Sequence, residues 1–407
     1  MIKRFSQVRV VDAQSPYNGQ TVDIVVSDGI IQSISVSEPV AKGDCVSPGW
    51  VDMAATTGEP GFEERETLRS LAAAAAFGGF VQVAVSPAGY PVRDNRPTVD
   101  AFLKNARGLP VELLPLGAVS MGLQGEALAE LYSMHEAGAV GFFDDNKSME
   151  RAQLLKMALQ YTDRLDVVVY STPLDTSIAP LGMVHEGIIS TQLGLKSIPS
   201  IAEELRIQRD LTILSYTGGR LHFHALSTMR GVQMIAEAKA QGLSVTADTT
   251  IAHLIGSDDD LKGFDTAYKT WPPLRSNFDR EALWAGVKEG TIDAISSGHR
   301  PYDVENKQVE FDNAAFGAAT LDFAYAWFTA RYGSDPLTQE TWVRAVTQGP
   351  RSILHLGNVR IQEGMPAEFT FFNPSGATPE KGFSLGMNIP KWPKKGSIQG
   401  IHTGFTS

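Results

Sequence analysis

A chain of 407 residues has room for one large domain and a smaller companion. Its 43% apolar and 20% charged residues describe an ordinary globular protein, and no run approaches the ~20 apolar residues of a membrane span. A formal net charge of -11 argues against a nucleic-acid surface, and a lone Cys45 excludes a disulfide framework or a thiolate metal cluster. The basic knot PKWPKK (390–395) reads as a solvated end, no leader-like segment opens the chain, and a cytoplasmic protein is expected.

Residues 1–48 read as short strands. QVRVVDAQ (7–14) is β-branched, and TVDIVVSDGIIQSISV (21–36) carries Asp28-Gly29 between two β-branched runs, a hairpin signal. GNVRIQEGMPAEFTFFNP (357–374) repeats that style near the other end. The two ends, 1–49 and 357–407, are therefore expected to form one composite β-sandwich domain around an inserted segment, 50–356.

That segment alternates. Helical patterns fall at 66–79 (Ala-rich, stopped by Gly78-Gly79), 125–138, 149–161, 200–219, 227–242 and 277–290. Strand patterns fall at 80–85, 139–145, 165–171, 220–226, 243–249 and 291–298. Strands separated by crossover helices predict a parallel sheet: a (β/α)₈ barrel of the TIM type, with a doubly wound open sheet as the alternative. A barrel places its chemistry at the carboxyl ends of its strands, here 52–58, 86–90, 143–146, 170–173, 224–227 and 297–302. The first of these ends, in SPGWVDMAATTGEP, offers Ala54, Ala55 and Thr56, which can do almost no chemistry.

These strand ends and their surroundings resemble a dihydroorotase of the multifunctional-complex type, in the amidohydrolase superfamily. SPGWVDM with EPGFEERETL, HEGIISTQLGLKSIP (185–199), KTWPPLRSNFDREAL (269–283), GTIDAISSGHRPY (290–302) and VEFDNAAFG (309–317) fall in that family's order and spacing. The resemblance implies interconversion of N-carbamoyl-aspartate and dihydroorotate by one or two zinc ions that generate a hydroxide and polarise a carbonyl. It also shows where this chain departs. The family's His-x-His pair falls on Ala54 and Thr56, two later metal histidines on Tyr170 and Ala225, and the Asp that serves as ligand and acid/base on Gly298. The substrate-binding Arg falls on Gly58, and two substrate-binding Asn on Ala88 and Trp271. Only Asp144 and Asp145 keep carboxylates.

The expectation from these departures is a non-catalytic homologue of pyrimidine biosynthesis without zinc. Its role would be structural or regulatory, such as assembly with aspartate carbamoyltransferase, and it would be oligomeric itself. The alternative is a hydrolase of a cyclic amide with a rebuilt or metal-free site around His299, Asp144 and Asp145; a third reading puts His222 or His224 on a metal. His222 and His224, two apart on a strand, face the same way and read as a hydrogen-bonded pair facing either the barrel or the helices. His253 reads as structural. His299, Arg300, Arg275, Asp144 and Asp145 are the residual pocket candidates, able to bind a small anion or to close the space by ion pairing. Tyr90, Tyr170, Trp271 and Tyr302 read as aromatic infill of a lost cavity.

Overall fold

The computed structural model describes residues 2–38, 43–386 and 388–403. Parts of the expected β domain (residues 1, 39–42, 387 and 404–407) lie outside the described residues. The strands in chain order are β1 Ile2–Val10, β2 Thr21–Ser27, β3 Ile30–Val36, β4 Cys45–Pro48, β5 Trp50–Ala55, β6 Phe80–Val85, β7 Glu112–Gly117 and β8 Gly141–Phe142. They continue as β9 Val168–Ser171, β10 Val184–His185, β11 Ser197–Ile198, β12 Arg220–Phe223, β13 Val245–Thr250, β14 Ala294–Ser296, β15 Phe369–Asn373 and β16 Ser397–His402.

Two patterns of burial separate two sheets. In β2, Val22, Ile24 and Val26 are buried while their neighbours are not, the alternation of a sheet with one covered face. This strand belongs to a six-stranded sheet in the order β16-β15-β4-β1-β2-β3, which joins both ends of the chain as their shared β-branched style predicts. In β5 and β6 every residue is buried, as in a parallel strand covered on both faces. These lead an eight-stranded sheet, β14-β13-β12-β9-β8-β7-β6-β5, whose described pairings are all parallel. The (β/α)₈ barrel is thus the observed architecture.

Side-chain and main-chain hydrogen bonds close the seam between β5 and β14. The Asp52 carboxylate, fully buried, accepts from the Ser297 amide at 2.6 Å and hydroxyl at 2.7 Å, and the Thr56 amide donates to the His299 carbonyl at 2.8 Å. The helix α1 (Leu68–Gly78) covers β5 and β6. It starts on a reciprocal Thr67/Ser70 capping box and stops at Gly79, whose φ of 91° is open to glycine and whose absent Cβ would strike Trp50 at 2.9 Å.

Sequence and structure differ in the first third of the barrel. The strand β7 and the helix α2 (Arg96–Asn105) have no counterpart among the predicted elements. The helix expected at 125–138 forms only over Leu131–Glu136, because Gly125 adopts φ +67° and Ser120 bridges to Leu128. The strand expected at 139–145 contracts to β8. Asp144 turns its carboxylate onto the Val119 and Ser120 amides (2.8 and 2.9 Å), and Asp145 leaves the strand at φ +59°.

Candidate active site

A small cavity sits at the carboxyl ends of the barrel strands. Ala54 and Thr56 line it from the end of β5, Asp145 follows β8, His224 follows β12, and Gly298, His299 and Arg300 follow β14; Trp271 also contributes to the lining. The space open to water-sized groups is about 30 Å³, room for one or two waters.

Three buried imidazoles line this space, a fourth, His222, shares Asp248 with one of them, and their hydrogen bonds sort them. His299 accepts the Thr320 and Leu321 amides at Nδ1 (3.1 and 3.2 Å), which leaves its proton on Nε2, 3.5 Å from the buried Glu66 carboxylate. His253 sits between the Thr250 hydroxyl (2.8 Å) and the Pro272 carbonyl (3.0 Å), and burial pushes it down to about 4, so it is neutral at physiological pH. His222 sits between the Thr246 hydroxyl (2.9 Å) and Asp248 (3.1 Å). His224 uses Nδ1 alone, on Asp248 at 2.9 Å, and its Nε2 has no partner among the described residues at the cavity wall.

Asp248 is the centre of this arrangement. Fully buried, it takes both imidazoles, the Ala225 amide (2.8 Å) and the Ser296 hydroxyl (3.2 Å). Burial alone would raise its carboxyl, but His224 and His222 override that and hold it below the ordinary carboxylate range. An Asp in the strand TADTT, where a parallel barrel expects apolar side chains, was the sequence signal that could have found it.

The other predicted residues divide. Asp145 accepts from the Ser86 hydroxyl at 2.7 Å and pairs with Arg300; burial pushes its carboxyl up, yet Arg300 and Ser86 hold it below normal. Asp144 caps the end of β7 and lies outside the cavity lining, its carboxyl raised by burial. Arg275 is also elsewhere: it ties the Ile198 carbonyl (2.8 Å) to the Ser227 hydroxyl (3.1 Å). Tyr170 fills the barrel interior against His222, ring centroids 4.7 Å apart, with its hydroxyl 3.3 Å from the Met53 carbonyl. Burial, with the Asp248 and Asp52 charges behind it, raises this phenol well above its usual value and keeps it neutral. Trp271 packs on Phe316, while its indole N–H, buried, has no partner among the described residues. Tyr90 is 77% exposed and fills nothing, and Tyr302, partly exposed, stacks near Arg65 instead of filling the cavity. Ala225, where the family resemblance expects an imidazole, stands at φ +62°, and the residue before it is His224.

Fold and mouth together define an amidohydrolase-type barrel. Its backbone superposes on the L-hydantoinase (dihydropyrimidinase) of Arthrobacter aurescens with a TM-score of 0.83 at 22% identity, covering 99% of this chain and 95% of that one. The dihydropyrimidinase of Brevibacillus agri gives 0.80 at 17%, covering 99% and 94%. The family model described as dihydro-orotase-like matches residues 43–230. A dihydroorotase of Syntrophus aciditrophicus is 37% identical over 406 residues, spanning 96% of this chain and 95% of the relative. One of Pelotomaculum thermopropionicum is 40% identical over 356 residues, spanning 86% and 83%. The chain belongs to the dihydroorotase family.

These relatives correct two expectations drawn from the sequence. Enzymes named dihydroorotase match nearly the whole chain at 33–40% identity, which counts against a non-catalytic protein. The expectation that zinc is absent is corrected on the same ground, because the family so matched is one that works with zinc. The local donors are a separate question. Ala54, Thr56, Tyr170, Ala225 and Gly298 bring no imidazole or carboxylate, and no three His, Cys, Asp or Glu among the described residues converge on a metal-sized space. The residues present do not fit zinc at the family positions, and no chemical step below is routed through it.

Proposed function

We propose that this chain hydrolyses a cyclic amide of the dihydroorotate type through a rebuilt site in which His224, oriented by Asp248, is the general base. One observation carries the reading: of the imidazoles that line the cavity, His224 alone offers an unprotonated ring nitrogen without a partner among the described residues, because the buried Asp248 carboxylate holds the proton on Nδ1, whereas His299 Nε2, also without a hydrogen bond, is the protonated one. Nε2 takes a proton from a water as the water oxygen bonds to the ring carbonyl carbon. The carbonyl oxygen gains the charge, with the unpartnered Trp271 indole N–H as the donor at hand. Collapse breaks the ring C–N bond, and the nitrogen takes the proton from the His224 imidazolium; the reverse path closes the ring. Arg300 supplies the positive charge for an anionic substrate once it parts from Asp145. That parting also makes room, since about 30 Å³ admits water but no ring.

The test is ring opening of dihydroorotate by the purified chain, beside His224→Gln. Turnover in the parent that falls about a thousandfold in the variant supports the reading. Turnover no faster than buffer, or a variant as fast as the parent, overturns it.

Two further elements belong to the proposal: the boundaries 1–49 with 357–407 and 50–356, and association with aspartate carbamoyltransferase. A stable complex would bury on the order of 1,600 Å². Co-elution of the mixed proteins supports it, and independent elution removes it.

A further inference from the structure

We infer that a second cavity, beside α2, binds a small carboxylate with an apolar body. It encloses about 170 Å³ between Leu68, Pro87, Arg93, Thr98 and Phe102, with Glu59 at its edge. The decisive group is Arg93. Only 4% exposed, it has no carboxylate within ion-pair distance among the described residues, and burial lowers its guanidinium to about 9. Its Nη1 is spent on three backbone carbonyls, Val85 at 3.1 Å, Ser86 at 3.2 Å and Leu116 at 3.1 Å. One face of the guanidinium lies 3.9 Å from the centre of the Phe102 ring. What remains is the Nε/Nη2 edge, which has no acceptor among the described residues.

That edge presents two parallel N–H groups with the spacing of a carboxylate, the geometry of bidentate recognition. A buried cation without a counter-ion is costly, and an anion in the adjoining cavity would compensate it. Prolines, Leu68 and Phe102 make the rest of the wall apolar, so the matching ligand is a carboxylate head on a hydrocarbon or aromatic body. Glu59 is not free to close the site onto Arg93: its Oε2 accepts the Leu68 amide at 2.8 Å, at the start of α1. The site is distinct from the cavity of His224, and the inference does not rest on the catalytic reading.

Calorimetric titration of the full chain with benzoate and with benzamide tests the site. Benzoate is expected to bind with a Kd of roughly a millimolar or tighter, and benzamide about tenfold more weakly. Arg93→Lys keeps a cation but loses the fork, and is expected to cost about tenfold for benzoate. Ala101 lines the cavity and is otherwise exposed, so Ala101→Phe fills the space without touching the core and should abolish benzoate binding. Equal binding of acid and amide, benzoate binding unchanged in Ala101→Phe, or no saturable binding by about ten millimolar overturns the proposal. The amide comparison and Ala101→Phe decide the matter even if Arg93→Lys fails to fold.

Discussion

Asp52 and Asp248 are both completely buried inside the same barrel, yet their surroundings drive them in opposite directions. Asp52 meets neutral donors, the amide and hydroxyl of Ser297, and burial dominates to raise its carboxyl. Asp248 meets two imidazoles as well as an amide and a hydroxyl, and its carboxyl is held down. The first is a latch across the β5–β14 seam. The second orients His224, the proposed general base. Burial alone therefore does not mark a functional carboxylate; the identity and freedom of its partners do.

The largest effect should come from the catalytic side of this contrast. His224→Gln removes the free ring nitrogen, and the rate of dihydroorotate ring opening should fall about a thousandfold, within the usual range for a lost general base. Tm should move little by comparison. A variant that melts much earlier but keeps its per-folded-molecule rate would make His224 structural, and the two aspartates alike.

Stability should separate the carboxylates next. Asp248→Asn leaves two buried imidazoles to share one amide oxygen in place of the carboxylate and should cost about 2–3 kcal/mol in denaturant unfolding at neutral pH. Asp52→Asn keeps a side-chain acceptor for Ser297 and should cost about 1–2 kcal/mol. The pH dependence has opposite signs. Asp248, depressed in the fold, stabilises above the ordinary value of ~3.9, and that contribution is lost as pH falls through its lowered value. Asp52, raised in the fold, contributes its full stabilisation below ~3.9, and the benefit is lost as pH rises through its raised value. Stability curves of the two variants that ran parallel with pH would break the comparison.

Arg300→Gln sharpens the same rule at the mouth. Burial already pushes Asp145 up, and Arg300 with Ser86 holds it down. Without the guanidinium, desolvation should win and the Asp145 carboxyl should rise above its ordinary value. The variant should then lose stability as pH rises from ~4 toward neutrality, where the parent does not, by roughly 1–3 kcal/mol. Denaturant unfolding across that window measures it, and a flat difference would show that Ser86 alone suffices for Asp145.

The barrel was legible because strand and helix periods alternate with Gly stops, as at α1, and because β-branched text recurs at both ends of the chain. The strand β7 was missed: ELLPLG carries a Pro and no alternation, and its identity comes from burial between β6 and β8. The site was legible as a place more than as a set of residues. Ala54, Thr56, Gly298, His299 and Arg300 do gather at one cavity. Yet His299 accepts two backbone amides at Nδ1 and turns a protonated Nε2 toward Glu66 at 3.5 Å, and Arg275 and Asp144 serve backbone groups. Which nitrogen of which imidazole stays free depends on Asp248, Thr320 and Pro272, partners distant in sequence that no local pattern names.

The smallest effects come from the two hydroxyls that accompany these carboxylates. The Ser297 hydroxyl donates to Asp52 at 2.7 Å and accepts from the His299 amide at 3.1 Å, so it joins the latch to the loop that carries His299 and Arg300. Ser297→Ala leaves Asp52 one short amide contact in the fold and should cost about 1–2 kcal/mol. The Ser296 hydroxyl donates to Asp248 at 3.2 Å, one contact beside two imidazoles and an amide that satisfy the carboxylate without it. Ser296→Ala should cost about 0.5 kcal/mol and leave the rate within about twofold, because the tautomer of His224 is fixed by Asp248 itself. If Ser296→Ala proved the more damaging of the two, Asp248 would depend on its neutral donors as Asp52 does, and the imidazoles would not be what sets it apart.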